Sequence, residues 1–316
     1  MIETTEYFVE GVFLLIIGTF GIIGNISAIV VFIQKKQKSF YGLMLSLAAF
    51  DLIFITALIF THGIPQLSPE FKDTFQFNWN LIWVRGLGHI AMTGSIYFTM
   101  AITIERYVTV CHPFYRVSHS WPTKRLVLFL VAFTILYNIP IFFELETKKL
   151  VSGRYIVKPT RMRANQYYYQ IYLMWLTLLL MSIGPFVLLV TLNALIVREL
   201  VRSANHLPVI VVSGPRLEHA LNQRRREIVL AKVSLAIVFV FILCHSLKWI
   251  STVYELFYPP TEWPPWVKIF FHFSRLALVF NSSVNFYIYL GKHWRTFFNI
   301  PESSASNQTE MTVNRT

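Results

Sequence analysis

Charged residues stand at two places inside stretches of this chain that are otherwise strongly apolar. Glu105 and Arg106, followed by Tyr107, close one apolar run, and Asp51 stands in the middle of another, directly after the residues LAAF. Ionisable side chains are costly in an apolar environment, so they occur there with partners or beside a polar cavity. These residues are therefore candidates for binding or switching, although an arginine at the end of an apolar run can also simply extend to a membrane surface.

Covalent catalysis has less support than binding. An enzyme inside a membrane needs a nucleophile with a base, or a set of metal ligands on one face of a helix. The histidines, such as His62, His89 and His272, are scattered along the chain without metal-ligand spacing. The sequence thus predicts a protein that is not an enzyme.

The elements that carry these residues are predicted to be membrane helices. The chain has 316 residues, of which 55% are hydrophobic and 14% are charged, against about 25% charged in soluble domains. A helix needs roughly 20 mostly apolar residues to cross a bilayer. Seven such runs are predicted: 8–34, 41–66, 79–112, 124–143, 166–198, 226–257 and 265–290. The predicted fold is an all-α integral membrane protein, a seven-transmembrane helix bundle.

The pattern of apolar and charged residues also predicts the structure and orientation of the two ends of the chain. A short amphipathic helix is expected at 292–299, with Trp294, Phe297 and Phe298 on one side, lying on the inner membrane surface. Residues 1–300 then form one membrane domain, and 301–316 form a disordered cytoplasmic tail. Lysines at 35, 36 and 38 follow the first run, which favours an extracellular amino terminus.

The net charge of +12 and the two cysteines limit the partners and the cross-links. The basic residues lie in short blocks between apolar runs, a pattern that membrane topology and anionic lipid explain better than nucleic-acid binding. Cys111 and Cys244 both fall in predicted spans, so a disulfide between outer loops is not expected.

The run Glu105-Arg106-Tyr107-Val-Thr-Val-Cys111-His112-Pro113 closely resembles the inner end of the third helix in rhodopsin-like G-protein-coupled receptors. Further motifs fall at matching places in other runs. They are Gly24-Asn25, Asp51, Pro185, Phe241 with Cys244, and the run Asn281-Ser282-Ser283-Val284-Asn285-Phe286-Tyr287-Ile288-Tyr289. Together these motifs cover six of the seven predicted helices.

The resemblance implies a switch at the inner end of the bundle. Arg106 would pair with Glu105 and with Glu227, which stands 17 residues before Cys244. Outward movement of the sixth helix would break this lock and open a cavity for a heterotrimeric G protein, with arrestin as a second intracellular partner. Tyr107 and Tyr289 belong to the same implied switch. The alternative for Glu227 is an ordinary charge at the membrane interface.

The resemblance also implies a polar pocket and an activation core in mid-bundle. Asp51, Ser95, Asn281 and Asn285 match the family's sodium pocket, which makes Na⁺ an allosteric ion; no other cofactor or metal is expected. A protonated, hydrogen-bonded Asp51 without an ion stays open as the alternative. The implied activation core consists of Asn25, Pro185, Phe241 and His245.

Several family positions differ in this chain. His245 and Leu247 replace the tryptophan and proline of the sixth helix, and Phe286 replaces the proline of the seventh. Leu81 stands where a cysteine normally ties the third helix to the second outer loop, so other contacts must hold that loop.

Alignment of the motifs weakens two ligand classes. Val279 stands where opsins carry the retinal lysine, and Gly88 where amine receptors carry an aspartate. The segments Gly184-Pro185-Phe186, Leu192-Asn193-Ala194-Leu195-Ile196 and Leu136-Tyr137-Asn138-Ile139-Pro140-Ile141-Phe142-Phe143-Glu144 are similar to FMRFamide-type neuropeptide receptors of arthropods.

A short amidated peptide containing Arg and Phe is therefore the predicted extracellular ligand. The predicted pocket combines acidic and aromatic side chains with a basic one: Trp83, Glu144, Trp175, Tyr254, Glu255 and Arg275. A carboxylate can bind a peptide arginine through two hydrogen bonds, and aromatic rings accept phenyl groups and cations. For each aromatic residue alone, a place in the interfacial aromatic belt is the alternative.

Other functions stay open. They are an orphan or chemosensory receptor of the same fold with a non-peptide ligand, and a non-signalling decoy receptor. A transporter or channel is the weakest of these, because the polar residues do not outline a pore and no repeat is visible. The expected location is the plasma membrane, with several passes and a cytoplasmic carboxyl terminus.

Overall fold

The computed structural model describes residues 2–34, 39–68, 70–71, 80–112, 123–149, 155–205, 215–258 and 263–297. Seven long helices account for most of them. They are α1 (2–34), α2 (Ser39–Leu67), α3 (Asn80–Cys111), α4 (Thr123–Phe143), α5 (166–205), α6 (Pro215–Phe257) and α7 (Pro265–Phe297).

Six of these helices, α1 to α6, are long and apolar enough to cross a membrane. Their outward faces carry large apolar side chains such as Phe20, Leu128 and Phe129, each at least 60% exposed in the isolated chain. Contact of such apolar surfaces with lipid tails is favourable, whereas their contact with water is unfavourable. The helix α7 is not among the six, and it carries buried polar residues such as Ser274 and Asn285, which lower its hydropathy.

Three helices contain π-helical segments, Tyr7–Phe13 in α1, Ile59–Gly63 in α2, and Tyr169–Leu176 and Leu178–Ile183 in α5. The last of these ends immediately before Gly184 and Pro185. Proline has no N–H for the helical hydrogen bond and crowds the carbonyl one turn earlier, so the wider π turn accommodates it. In α4 the last turn, Ile139–Phe143, is a 3₁₀-helix that contains Pro140.

Between α4 and α5 the chain forms a two-stranded antiparallel hairpin, an addition to the predicted all-α fold. Strand β1 (Leu145–Lys149) pairs with β2 (Tyr155–Pro159), and Glu146 lies opposite Lys158. A short helical turn, Arg161–Ala164, leads into α5. We call this side of the molecule the hairpin end and the opposite side, where α3 closes, the Arg106 end.

The helix α3 is central, because it packs against α2, α4, α5 and α6, while α7 packs against α1, α2 and α6. The largest apolar cluster lies toward the Arg106 end and includes Phe40, Phe98, Ile102 and Ile237. Gly94 on α3 lies so close to the ring of Phe50 on α2 that a Cβ would collide with it. Glycine at this position is what permits the close approach of the two helices.

The described helices agree with the predicted spans to within a few residues at most ends. The exceptions are α1, which begins six residues earlier, α5, which ends seven residues later, α6, which begins eleven residues earlier, and α7, which runs unbroken to Phe297. The predicted separate amphipathic helix at 292–299 is therefore not confirmed. The side chains of 292–297, together with Phe298, Asn299 and the predicted tail 301–316, lie outside the described residues.

Candidate functional site

At the Arg106 end, one buried arginine joins α3 to α6. Arg106 is 1% exposed, and its Nε donates to Oε2 of the neighbouring Glu105 at 2.5 Å. Its Nη1 donates to Oε2 of Glu227 on α6 at 2.7 Å. The structure thus brings together the three charged residues of the predicted switch, two carboxylates around one guanidinium.

An aromatic ring completes this site. The guanidinium carbon of Arg106 lies 4.6 Å from the centre of the Phe40 ring on α2, a cation–π distance. The two tyrosines of the predicted switch make other contacts. The Tyr107 hydroxyl is 3.1 Å from Nε2 of His112, and Tyr289 packs edge-on against Phe32. The sequence motif did not point to Phe40, which lies 66 residues before Arg106.

In mid-bundle, Asp51 on α2 is fully buried and connects three helices. Its Oδ1 accepts a hydrogen bond from Ser95 Oγ on α3 at 2.6 Å, and its Oδ2 accepts one from Asn285 Nδ2 on α7 at 2.7 Å. Three of the four residues of the predicted sodium pocket are therefore in direct contact. Asn281 is also buried, one helical turn before Asn285.

The donor set of this pocket fits a small hard cation. The amide oxygens of Asn281 and Asn285 are buried and have no hydrogen-bond partner among the described residues. Hard cations take oxygen ligands from carboxylates, amides, hydroxyls and water. Asp51, Ser95 and these two amide oxygens would hold such an ion, whose positive charge would offset the burial of the carboxylate.

His245 of the activation core lines the same cavity as two residues of the sodium pocket, Ser95 and Asn281. The rest of the lining consists of Ser282, Phe54, Met92 and Leu278. The His245 ring stacks on Phe241, with 3.9 Å between the ring centres. The structure thus brings His245 on α6 next to the polar pocket, in the position where the family usually has tryptophan.

The other two activation-core residues lie in α1 and α5. Asn25 is buried, and its side-chain amide donates to the carbonyl oxygens of Gly21 and Ser282, each at 2.9 Å, which joins α1 to α7. Pro185 is buried between Met181 and Leu189, which belong to the same apolar cluster as Phe241.

At the hairpin end, Glu144 is fully buried and already has partners. Its carboxylate forms ion pairs with Arg85 on α3, at 2.9 Å, and with Arg163 of the turn after the hairpin. The Tyr168 hydroxyl of α5 donates to it at 3.0 Å. Side chains of the chain itself thus already occupy the Glu144 carboxylate, and its place in the ligand pocket stays a prediction.

These contacts explain how the segment between α4 and α5 is held without a disulfide. Arg85 lies one helical turn after Leu81, the position where the family has its cysteine. The Thr160 backbone N–H donates to the Glu144 carbonyl oxygen at 2.9 Å, and its hydroxyl donates to the Phe143 carbonyl oxygen at 2.7 Å. We call Glu144, Arg85, Arg163 and Tyr168 the Glu144 cluster.

A second buried carboxylate binds Arg275, also assigned to the ligand pocket. Glu10 on α1 is 2% exposed, and it forms an ion pair with Arg275 on α7. Nδ1 of His272 lies 2.6 Å from Glu10 Oε1, and Nδ1 of His62 on α2 lies 3.5 Å from Oε2. The sequence did not predict this grouping of scattered histidines. Its one visible signal was the pair Glu6 and Glu10 in an apolar run.

The remaining residues of the predicted ligand pocket have no described contact with either of these two clusters. Trp83 packs against Phe142, and Tyr254 packs against Trp263 and Trp266. Trp175 is about half exposed on α5. The side chain of Glu255 lies outside the described part of the chain, although its backbone belongs to α6. The common ligand pocket stays a prediction.

Comparison with known proteins places this geometry in a family. Residues 24–289 match the model of the family described as 7 transmembrane receptor (rhodopsin family). The chain is similar to an FMRFamide receptor of Drosophila melanogaster, with 33% identity over 93% of this chain and 53% of the relative. It is also similar to the vasopressin V2 receptor of Bos taurus, with 27% identity over 72% of this chain and 62% of the relative.

A more distant relative is an FMRFamide peptide receptor of Caenorhabditis elegans, 25% identical over 87% of this chain and 64% of the relative. The chain thus spans between about half and two thirds of the length of these relatives. The family match covers the lock, the buried aspartate and its pocket. Proteins of this kind are receptors and not enzymes. The chain belongs to the rhodopsin family of seven-transmembrane receptors.

Proposed function

We propose that this receptor binds a short extracellular neuropeptide of the FMRFamide type and activates a heterotrimeric G protein through outward movement of α6. The observation that carries the signalling part is the buried contact of Arg106 with Glu227, because one ion pair joins α3 to α6 at the Arg106 end. A ligand that favours the separated state of these helices shifts the equilibrium toward it. Arrestin remains a predicted second partner.

The peptide part rests on the relatives and on the aromatic surface at the hairpin end. Two of the similar proteins carry FMRFamide receptor in their names. Trp266 is exposed, and together with Tyr254, which packs against the buried Trp263, it offers ring faces to phenyl groups. Since Glu144 and Glu10 are occupied by arginines of the chain itself, Glu255 is the acid that we propose for a ligand arginine.

This assignment predicts a charge-specific effect at Glu255. We expect Glu255→Gln to raise the half-maximal concentration of an Arg-Phe-amide peptide about tenfold or more, because a carboxylate–guanidinium pair is lost. A peptide with neutral citrulline in place of arginine should show little difference between the two receptors. Agonist-dependent nucleotide exchange on a purified G protein measures both.

Glu146→Gln, on the exposed hairpin, is the matched control and should leave the response unchanged. An equal loss for the arginine and citrulline peptides would contradict the role of Glu255. A receptor that answers no Arg-Phe-amide peptide but answers another ligand class would overturn the peptide proposal. Peptide binding without nucleotide exchange would identify a decoy receptor.

The pocket around Asp51 is proposed as an allosteric sodium site. The bound ion would supply positive charge beside the buried carboxylate, and Ser95, Asn281 and Asn285 would supply further oxygen ligands. We expect sodium to lower agonist affinity about fivefold or more in the natural protein and to have no effect in Asp51→Asn. Agonist binding in sodium chloride and in choline chloride at equal ionic strength checks this. The same sodium effect in both proteins would contradict the site.

The orientation in the plasma membrane is also proposed, with the hairpin end and the amino terminus outside. The basic segment after the first span and the basic residues Lys124, Arg125 and Lys232 near the Arg106 end support it. Epitope tags should be accessible in intact cells at the amino terminus and only after permeabilisation at the carboxyl terminus. Both tags on one side would contradict the receptor topology.

A further inference from the structure

A group of metal-ligating side chains lies between α1 and α7 at the hairpin end. Glu6 and Glu10 are four residues apart on α1, and His272 faces them from α7. One ligand atom from each of the three, a carboxylate oxygen or a ring nitrogen, lies within 4.8 Å of the other two. None of these residues belongs to the switch or the sodium pocket.

The charge of this group favours a cation. Glu6 and Glu10 bring two carboxylates, and Arg275 is the fixed cation that pairs with Glu10. Glu6 accepts a neutral hydrogen bond from the Gln66 amide at 2.6 Å. With neutral histidines, these described side chains keep one excess negative charge in a largely buried place, where charge interactions are screened weakly.

The Arg275 guanidinium already lies between two side chains, a carboxylate and an imidazole, that can also bind a metal ion. Its Nη1 lies 3.0 Å from Nδ1 of His62 and also contacts the Glu10 carboxylate. Because a guanidinium has donors and no acceptor, a hydrogen bond at this contact uses the lone pair of Nδ1, in the tautomer that carries the ring proton on Nε2. A carboxylate oxygen and an imidazole nitrogen around one cation are the ligands that Zn²⁺ selects.

We propose that Glu6, Glu10 and His272 form a Zn²⁺ site, with His62 near enough to contribute, and that Arg275 competes with the metal for Glu10. Tetrahedral zinc with bonds of about 2.0–2.2 Å holds its ligand atoms about 3.3 Å apart, so small side-chain movements would close the site. The lone pair of one ring nitrogen of His272 would bind the metal, and the ring proton would stay on the other nitrogen. The imidazole ligand disfavours Ca²⁺ and Mg²⁺, which take oxygen ligands.

Zinc bound in this way would tie α1 to α7 directly. A ligand that binds the folded state alone stabilises it, so zinc should raise the melting temperature of the receptor. Because Arg275 competes with zinc, its substitution should change the zinc affinity in the opposite direction to the loss of a metal ligand. Loss of a metal ligand should weaken zinc binding, whereas loss of the Arg275 charge should strengthen it.

The test is a Zn²⁺ titration of the full chain in lipid nanodiscs, against a fluorescent zinc indicator and with excess Ca²⁺ and Mg²⁺. We expect one zinc-binding site in the natural protein, an affinity about tenfold or more lower in Glu6→Gln and in His272→Gln, and a higher affinity in Arg275→Gln. The matched control is His112→Gln, a histidine at the Arg106 end, which should bind zinc like the natural protein.

Glu6→Gln keeps the hydrogen bond with Gln66 within reach and should fold, so it decides the matter even if Arg275→Gln does not fold. A cooperative melting transition without zinc shows which variants fold. Zinc should raise the melting temperature of the natural protein and should not raise that of Glu6→Gln. Equal zinc affinity in the natural protein and folded Glu6→Gln, or no zinc bound at all, would overturn the proposal. Weaker binding in folded Arg275→Gln would overturn the competition.

Discussion

Glu227→Gln is expected to raise ligand-independent nucleotide exchange, and Arg106→Ala is expected to abolish agonist-dependent exchange. The Arg106 side chain is 1% exposed, and Glu227 supplies its contact from α6 at 2.7 Å. A hydrogen bond to a charged group contributes about 1.5–3 kcal/mol. Removing the charge of Glu227 should shift the equilibrium from the closed toward the open state about tenfold or more.

The arginine variant acts differently, because it removes the group that both carboxylates hold. Without Arg106, Glu105 and Glu227 face each other as like charges, and the guanidinium is lost from the cavity that α6 opens. We expect agonist binding to persist in Arg106→Ala while nucleotide exchange falls to background. The measurement is exchange on purified G protein in nanodiscs, with agonist affinity determined on the same samples.

Lys232→Gln is a suitable control for Glu227→Gln, since Lys232 is an exposed charge little more than one helical turn further along α6. It should leave basal exchange unchanged. Basal exchange in Glu227→Gln at the level of the natural protein would mean that Glu227 is an ordinary interface charge, the alternative that the sequence left open.

Glu144→Gln is expected to cause the largest loss of stability of any single charge substitution at the hairpin end. The carboxylate is fully buried and receives Arg85, Arg163 and Tyr168. Removing one partner of a buried ion pair leaves the others uncompensated and costs about 3–5 kcal/mol. The exposure of Arg163, about a third of its side chain, places the expected loss at the lower end of that range.

Thermal melting of the purified receptor measures this effect, and Glu146→Gln serves as the exposed control two residues away. Agonist affinity should fall together with the melting temperature, because the Glu144 cluster positions the hairpin. A thiol reductant should not change the melting temperature of the natural protein, whose two cysteines are free. Equal melting of Glu144→Gln and Glu146→Gln would show that other contacts hold the hairpin.

The positions of the helices were predictable because apolar runs of bilayer length have few alternatives to a membrane helix. The lock was predictable for a similar reason, since a local motif around Arg106 fixes its place at the end of α3. Phe40, the ring under that arginine, was not predictable, because its position depends on how α2 packs against α3.

The partners of the charged residues at the hairpin end could not be predicted from the sequence. Glu10 and Arg275 are 265 residues apart, and their contact depends on the rotation of α1 and α7 about their axes. The apolar runs around Glu144 and Arg85 indicate that these charged residues need partners. The sequence does not say whether the partners belong to the chain or to the ligand. The π-helical segments in α1, α2 and α5 also alter which side chains face inward, and although Pro185 follows one of them in α5, the apolar pattern predicted none.

If the Arg106–Glu227 pair holds α6 against α3 and signalling requires their separation, the two helices should move apart on activation. Spin labels on Arg125 of α4 and Lys232 of α6, two exposed positions near the Arg106 end, allow the distance to be measured by pulsed electron paramagnetic resonance, with Cys111 and Cys244 replaced by serine. We expect one short distance in the natural sequence and an added longer one in Glu227→Gln or with agonist. A distance distribution that neither the substitution nor any activating ligand changes would contradict this separation of the helices.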